Sequence, residues 1–167
     1  MSEVIVETRD LSIRFGGVLA VNNVNFSLRA REMRCLIGPN GAGKSTFFKC
    51  LTGQHKINSS NGYVFIDGHD VTGWQPYEIV QLGVGIKTQV PSVMNGLTVW
   101  ENLWLSARRI HGKQGASAEV DRVITELGLQ SHLRRVVGEL AHGQRQIVEI
   151  GLVLCQRPKL VLLDEPA

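Results

Sequence analysis

Met33 to Thr52 reads MRCLIGPNGAGKSTFFKCLT, and everything else in the chain is best understood outward from it. Met33 to Ile37 is a short, mostly apolar run that predicts a strand. Gly38 to Ser45 (GPNGAGKS) satisfies G-x-x-x-x-G-K-[ST] in full. Ser45 to Thr52 then carries Phe47, Phe48 and Leu51 at helical spacing, and Gly53 supplies a stop. Strand, glycine-rich loop and helix form the context this pattern requires. From average composition the pattern arises by accident in roughly one chain in a hundred of this size. Gly41 and Gly43 permit dihedrals and close approaches that a Cβ would block. Successive backbone N–H groups can then curl around a phosphate, helped by the positive end of the helix. The predicted phosphate cradle is Gly38, Pro39, Asn40, Gly41, Ala42, Gly43, Lys44, Ser45 and Thr46. Lys44 can reach β- and γ-phosphates, and the Ser45 hydroxyl can ligate Mg²⁺.

Downstream, Lys159 to Pro166 reads KLVLLDEP. Leu160 to Leu163 is a fully apolar strand of the kind that parallel sheets bury on both faces. It delivers Asp164 and Glu165 to a strand's carboxyl end, where open α/β sheets bind ligands. Asp164 suits a Mg²⁺-directed acceptor, and Glu165 a base or orienter of water. A strand ending in Asp-Glu is, alone, an ordinary solvated end; the phosphate loop changes its meaning. Gln89 follows another predicted strand, Val84 to Lys87, so in a parallel sheet Gly38 to Ser45, Gln89 and Asp164-Glu165 share one edge. Leu140-Ala141-His142-Gly143-Gln144 (LAHGQ) places glycine at a helix N-terminus, a plausible anion-binding end.

The remaining sequence fits an α/β chain with two appended subdomains. Val4, Val6, Leu11, Ile13, Phe15, Val24, Phe26 and Leu28 alternate as in strands, punctuated by Gly16-Gly17 and Asn22-Asn23, which predicts short antiparallel strands. Tyr63 to Ile66 predicts another strand, and Pro76 starts a short helix ending near Gly83. The middle of the chain is helical: Thr98 and Glu101 make a T-x-x-E capping box ahead of Trp100, Leu103, Trp104 and Ala107. Val120, Val123, Ile124 and Leu127 recur at helical spacing before Gly128. Gly143 to Cys155 is apolar around most of its circumference, which predicts burial. Trp100 and Trp104 are expected to pack within the helical region, with Arg108-Arg109 and Arg134-Arg135 on solvated faces.

Composition narrows the function classes. The 167 residues carry 18 Lys+Arg against 15 Asp+Glu, a net charge of +3. That balance announces neither a nucleic-acid binder nor a membrane-surface protein. At 43% hydrophobic residues the chain can build a core, which excludes disorder. Met1 to Asp10 (MSEVIVETRD) lacks the apolar core of a secretory signal, and no run approaches the ~18–20 apolar residues of a membrane span. Cys35, Cys50 and Cys155 form no C-x-x-C pair and read as reduced core thiols. No N-K-x-D motif is present, which disfavours a GTPase.

Together these motifs resemble the ATP-binding cassette (ABC) family of transport ATPases, along essentially the whole chain. Gly38 to Ser45 looks like the Walker A loop and Gln89 like the Q-loop glutamine. LAHGQ is similar to the LSGGQ signature, and LVLLDEP to Walker B, with Glu165 at the catalytic-glutamate position. Phe15, in LSIRFGG, matches the aromatic that stacks on adenine. RFGGVLAV, the region around Gln89, LTVWENL and HGQRQIVEIG look like the importer branch serving branched-chain amino acids and urea. The resemblance implies a P-loop NTPase with a mainly parallel core sheet, an N-terminal antiparallel β-subdomain and a helical insertion. Approximate boundaries are 1–32 and 55–72 for the β-subdomain, 33–54, 73–89 and 157–167 for the P-loop core, and 90–156 for the insertion with its signature helix.

Several further expectations follow from that likeness. ATP and Mg²⁺ are the implied ligands, with Mg²⁺ at Ser45, Gln89 and Asp164, and Glu165, Lys44 and Gln89 as the catalytic set. A head-to-tail dimer, homo- or heteromeric, would let Leu140 to Gln144 of one copy complete the ATP site of the other. The remaining implied partners are membrane permease subunits and, indirectly, a substrate-binding protein, at the cytoplasmic face of the membrane; no nucleic acid is expected. Ala141 replaces the signature serine and His142 its first glycine, removing a hydrogen bond worth about 1.5–3 kcal/mol unless backbone N–H groups hold the anion. The family's D-loop and switch histidine lie past Ala167, so the cassette is expected to be incomplete at its C-terminus, binding ATP but turning it over poorly. A nucleotide-binding fragment without turnover and a non-transport ABC ATPase acting on nucleic acid or ribosomes are the alternatives.

Overall fold

A computed structural model describes residues 3–164. The chain divides between Leu82 and Gly83 into two compact units.

In the first unit, β1 (Val4–Phe15) and β2 (Val18–Arg29) form a long antiparallel hairpin turning at Gly16-Gly17. Two further strands, β3 (Tyr63–Ile66) and β4 (His69–Asp70), complete a sheet of order β2-β1-β3-β4. Val6, Leu11 and Ile13 of β1 and Val64 and Ile66 of β3 are buried. Burying each such side chain fully contributes about 1.5–3 kcal/mol. The Asn22-Asn23 pair does not break the strand, contrary to the punctuation expected of it. Asn23 instead adopts φ 48° and Asp10 φ 51°, and the pairing slips between Thr8 and Ile13. Asparagine and aspartate tolerate this left-handed region, so one bulged ribbon replaces several short strands. The bulge is tied by the Asp10 N–H donating to Asn25 Oδ1 and the Asn23 N–H donating to Ser12 Oγ.

Met33 to Ile37 is not a strand. Met33 is 91% and Ile37 93% exposed, and Cys35 is exposed with them, so only Cys50 and Cys155 are the core thiols expected. Apolar sequence makes a strand only where a neighbouring ladder takes its N–H and C=O groups, and no described strand pairs with this segment. Burial pushes the Cys50 thiol up to about 11 and Cys155 to about 12, so both are inert. Two helices complete the unit, α1 (Lys44–Leu51) and α2 (Pro76–Gln81).

The second unit holds a parallel pair, β5 (Val84–Lys87) and β6 (Leu160–Leu163), in register Val84↔Leu160 through Lys87↔Leu163. Parallel neighbours need a long crossover, and here it is helical. First comes α3 (Val99–Leu127), opened by the expected capping box: Thr98 Oγ1 accepts from the Glu101 N–H, and Glu101 accepts from Thr98. Those bonds hold the Glu101 carboxyl below its usual range. Gly112, at φ 66° and ψ −176°, kinks α3 into the two helical stretches that the sequence suggests. Next comes α4 (His142–Leu154).

Leu103, Ala107, Val120, Val123, Val137 and Val148 form the helical core, with Trp100 and Trp104 stacked at 6.1 Å and packed against its margin. At Gly151 α4 lies close against α3: a Cβ there would sit 2.8 Å from Leu103 Cδ2. Arg108, Arg109, Arg134 and Arg135 are exposed as expected. β6 departs from its expected burial on both faces, for Val161 and Leu163 are exposed. Of its two edges, only the one facing β5 carries a described partner. No described helix is long and apolar enough to cross a membrane.

Candidate nucleotide site

The glycine-rich loop lies in the first unit and leads directly into α1. Gly41 and Gly43 sit at φ 82° and 83°, the left-handed region that the motif anticipates. Gly43 is doubly constrained, because a Cβ there would meet the Ala20 carbonyl oxygen of β2 at 2.1 Å. The helix therefore starts pressed against the hairpin. No side chain caps α1, and its first turn holds no acidic residue. Its leading N–H groups are thus unclaimed by side chains, as an anion site needs. Lys44 folds back over the loop, its Nζ donating to the Gly38 and Pro39 carbonyls at 2.6 and 2.8 Å. That holds the ammonium on the cradle, close to where a phosphate's charge would come. A groove of about 400 Å³ beside the loop is lined by Leu19, Val21, Phe26, Ile37, Lys44 and Phe47.

Phe15 ends β1 and is 47% exposed, so it is not the core residue that strand alternation alone would make it. Its ring lies 5.1 Å from His55, tilted by 52°. Burial and the nearby Lys49 charge lower the His55 pKa, favouring a neutral ring there.

Gln89, Asp164 and Leu140 to Gln144 lie in the second unit, and Glu165 falls outside the described residues. Gln89 is exposed, two residues past the end of β5. Asp164 is half-buried, and its N–H donates to the Lys87 carbonyl at 2.9 Å. The parallel register brings Gln89 and Asp164 to the carboxyl end of the β5–β6 pair, whereas Gly38 to Ser45, expected at the same edge, follows no described strand and lies in the first unit.

In LAHGQ, Leu140 is buried while Ala141, His142 and Gly143 are exposed. Gln144 is occupied within the turn: its Oε1 accepts from the Ala141 N–H at 3.1 Å, and its Nε2 lies 2.9 Å from His132 Nε2. Ser131 Oγ sits 2.9 Å from the other ring nitrogen, an arrangement suited to a His132 that donates from Nδ1 and accepts at Nε2. Alanine has no oxygen for the N-cap, so α4 keeps only the glutamine half of a capping box. Its exposed first-turn N–H groups lack a side-chain acceptor.

Sequence reasoning missed three supporting residues. Asn102 is buried and holds the segment after Gln89: it donates to the Met94 and Thr98 carbonyls and accepts from the Met94 N–H. Glu119 is buried between Arg122 and Arg157; burial raises its carboxyl pKa, but the two arginines outweigh that and lower it overall. Lys87 forms a buried ion pair with Glu149. A charge at the end of an apolar strand, and another inside an apolar helical face, were the available signals.

Comparison with known proteins places the chain in a family. The ABC transporter family matches residues 21–167. The chain therefore belongs to that family as an ATP-binding cassette, a class of ATPases. The high-affinity branched-chain amino acid transport ATP-binding protein LivG of Salmonella typhimurium is 36% identical, over 100% of this chain and 71% of its own length. BraF of Pseudomonas aeruginosa, of the same description, is 33% identical over the same shares. Xylose import ATP-binding protein XylG of Geobacillus kaustophilus is 34% identical over 99% of this chain and 34% of its own length. A nucleotide-free ATP-binding cassette from an ABC transporter superposes with TM-score 0.81 at 29% identity, covering 98% of this chain and 70% of that one. A cassette in its ADP conformation gives 0.82 at 28%, covering 99% and 70%.

Proposed function

We propose that this chain is the ATP-hydrolysing subunit of an ABC importer, energising uptake of branched-chain amino acids through a separate membrane permease at the cytoplasmic face. The observation that carries the ATP reading is the glycine loop opening an uncapped α1 with Lys44 folded over it. The solute class rests on relatives such as LivG and BraF, whose similarity spans all of this chain.

In this reading adenine lies against Phe15 and the phosphates lie in Gly38 to Thr46. Mg²⁺ favours hard oxygen donors and keeps contact with substrate phosphates. The Ser45 hydroxyl, Gln89 amide oxygen and Asp164 carboxylate are such donors and would hold it; bound there, it neutralises charge developing on the phosphates. Glu165 orients the attacking water and accepts its proton. Leu140 to Gln144 of a second copy faces the γ-phosphate through the backbone N–H groups at the start of α4, since Ala141 offers no hydroxyl.

The test is reconstitution of the chain with its permease subunits in proteoliposomes, supplying solute-binding protein loaded with leucine or with urea. Leucine-loaded protein is expected to stimulate phosphate release and urea-loaded protein is not. Stimulation by urea alone would reassign the solute, and stimulation by RNA in place of either would overturn the importer reading.

A further inference from the structure

Lys87 and Glu149 are each only 3% exposed in their side chains, and Nζ stands 3.2 Å from a carboxylate oxygen. Removing two charges from water costs more than their attraction reliably returns, and apolar replacements of similar size often match or exceed such pairs in stability. Stability alone therefore gives no reason for the pair; its place in the fold does. Lys87 is the last residue of β5, its carbonyl accepts from the Asp164 N–H, and Gln89 lies two residues on. Glu149 lies on α4, five residues past Gln144. One residue thus touches Walker B through its backbone, leads into the Q-loop, and reaches the signature helix through its side chain.

A second contact fixes the direction of that helix. A Cβ on Gly85 would sit 2.5 Å from Val153 Cγ1, so α4 approaches β5 closely there. Strand positions 85 and 87 share a face, and helix positions 149 and 153 lie one turn apart on one side. Pairing 85 with 153 and 87 with 149 makes α4 antiparallel to β5. Its LAHGQ end therefore points toward the edge that carries Gln89 and Asp164. The glycine contact sets the distance and the ion pair adds a polar contact specific to positions 87 and 149, so the two together fix the register of α4 on the strand, while Ser106 Oγ, donating to the Leu152 carbonyl, ties α4 to α3.

We propose that Lys87 and Glu149 are positioning residues that hold the Ala141–Gln144 turn in register with Gln89 and Asp164. The proposal rests on the ATPase reading above for its consequence, but not for its geometry. The test compares wild type with Glu149→Gln and with the double variant Lys87→Met/Glu149→Met, measuring melting temperature, Mg·ATP affinity, single-turnover phosphate release and amide exchange without nucleotide. The double variant is expected to melt near wild type and to bind ATP as wild type does, since Phe15 and Gly38 to Thr46 are untouched. Its phosphate release should fall roughly 100-fold, the effect of a misplacement of order 1 Å. Its Ala141 and Arg145 amides, bonded to Gln144 Oε1 and the Ala141 carbonyl, should exchange faster even at matched global stability. Should the double variant not fold, the isosteric Glu149→Gln carries the same exchange prediction. Wild-type exchange at those amides in a stably folded variant would overturn the proposal, whatever the turnover. Failure of wild type itself to bind ATP would instead overturn the ATPase reading.

Discussion

In a cassette of the relatives' full length, replacing Glu165 with glutamine is expected to slow phosphate release by roughly 10²–10⁴-fold while leaving Mg·ATP binding nearly unchanged, because glutamine keeps the shape but cannot accept a proton. The neighbouring Asp164→Asn should behave differently. It removes an ionic acceptor for a hard cation, so its main signature is a higher Mg²⁺ requirement for both binding and turnover. The backbone at Asp164 is fixed by its bond to Lys87, so the substitution changes charge more than position. Single-turnover release measured across a Mg²⁺ titration separates the two variants. Identical curves would mean that the two carboxylates do not divide the work.

The second large effect is at Lys44. Truncation to alanine should weaken Mg·ATP binding by about 1.5–3 kcal/mol, or roughly 10–150-fold, the worth of one charge-assisted phosphate contact. Two carbonyls now hold the ammonium, and both are neutral. A phosphate oxygen is the stronger acceptor, so Lys44 gains by turning to it. Titration with a fluorescent ATP analogue checks this, and unchanged affinity in a folded variant would remove the phosphate-loop assignment.

How much of this was legible in the sequence depended on the range of the interaction that decides each feature. The conformation of the glycine loop was legible because its determinants are local: Gly41 and Gly43 need positive φ, and Lys44 follows at fixed spacing. The α3 capping box was legible for the same reason, since Thr98 and Glu101 bond across three residues. Met33 to Ile37 is not a strand because an apolar run reports only a tendency to burial, while a strand needs a partner ladder. Asn22-Asn23 departs from its sequence pattern in the other direction. Turn-forming residues can be absorbed as a bulge when the strand on each side is well paired.

Long-range charge pairing was not legible at all. Nothing in the spacing of Lys87 and Glu149 joins them; they meet where α4 packs closely on β5 at Gly85. Gln144 illustrates a subtler limit. Its place in a signature-like motif suggested nucleotide contact, yet both polar ends of its side chain are engaged locally, with Ala141 and His132. The backbone of that turn, more than this side chain, is what the protein offers to an anion.

An equilibrium titration of the chain with ATP, ADP and AMP in the presence of Mg²⁺ tests the assignment most directly. If Gly38 to Thr46 grips the β- and γ-phosphates, ATP and ADP bind saturably at one site and AMP binds at least ~100-fold more weakly, having lost the charge-assisted contacts. Equal affinity for AMP and ATP, or no saturable binding of ATP by the folded chain, would contradict it.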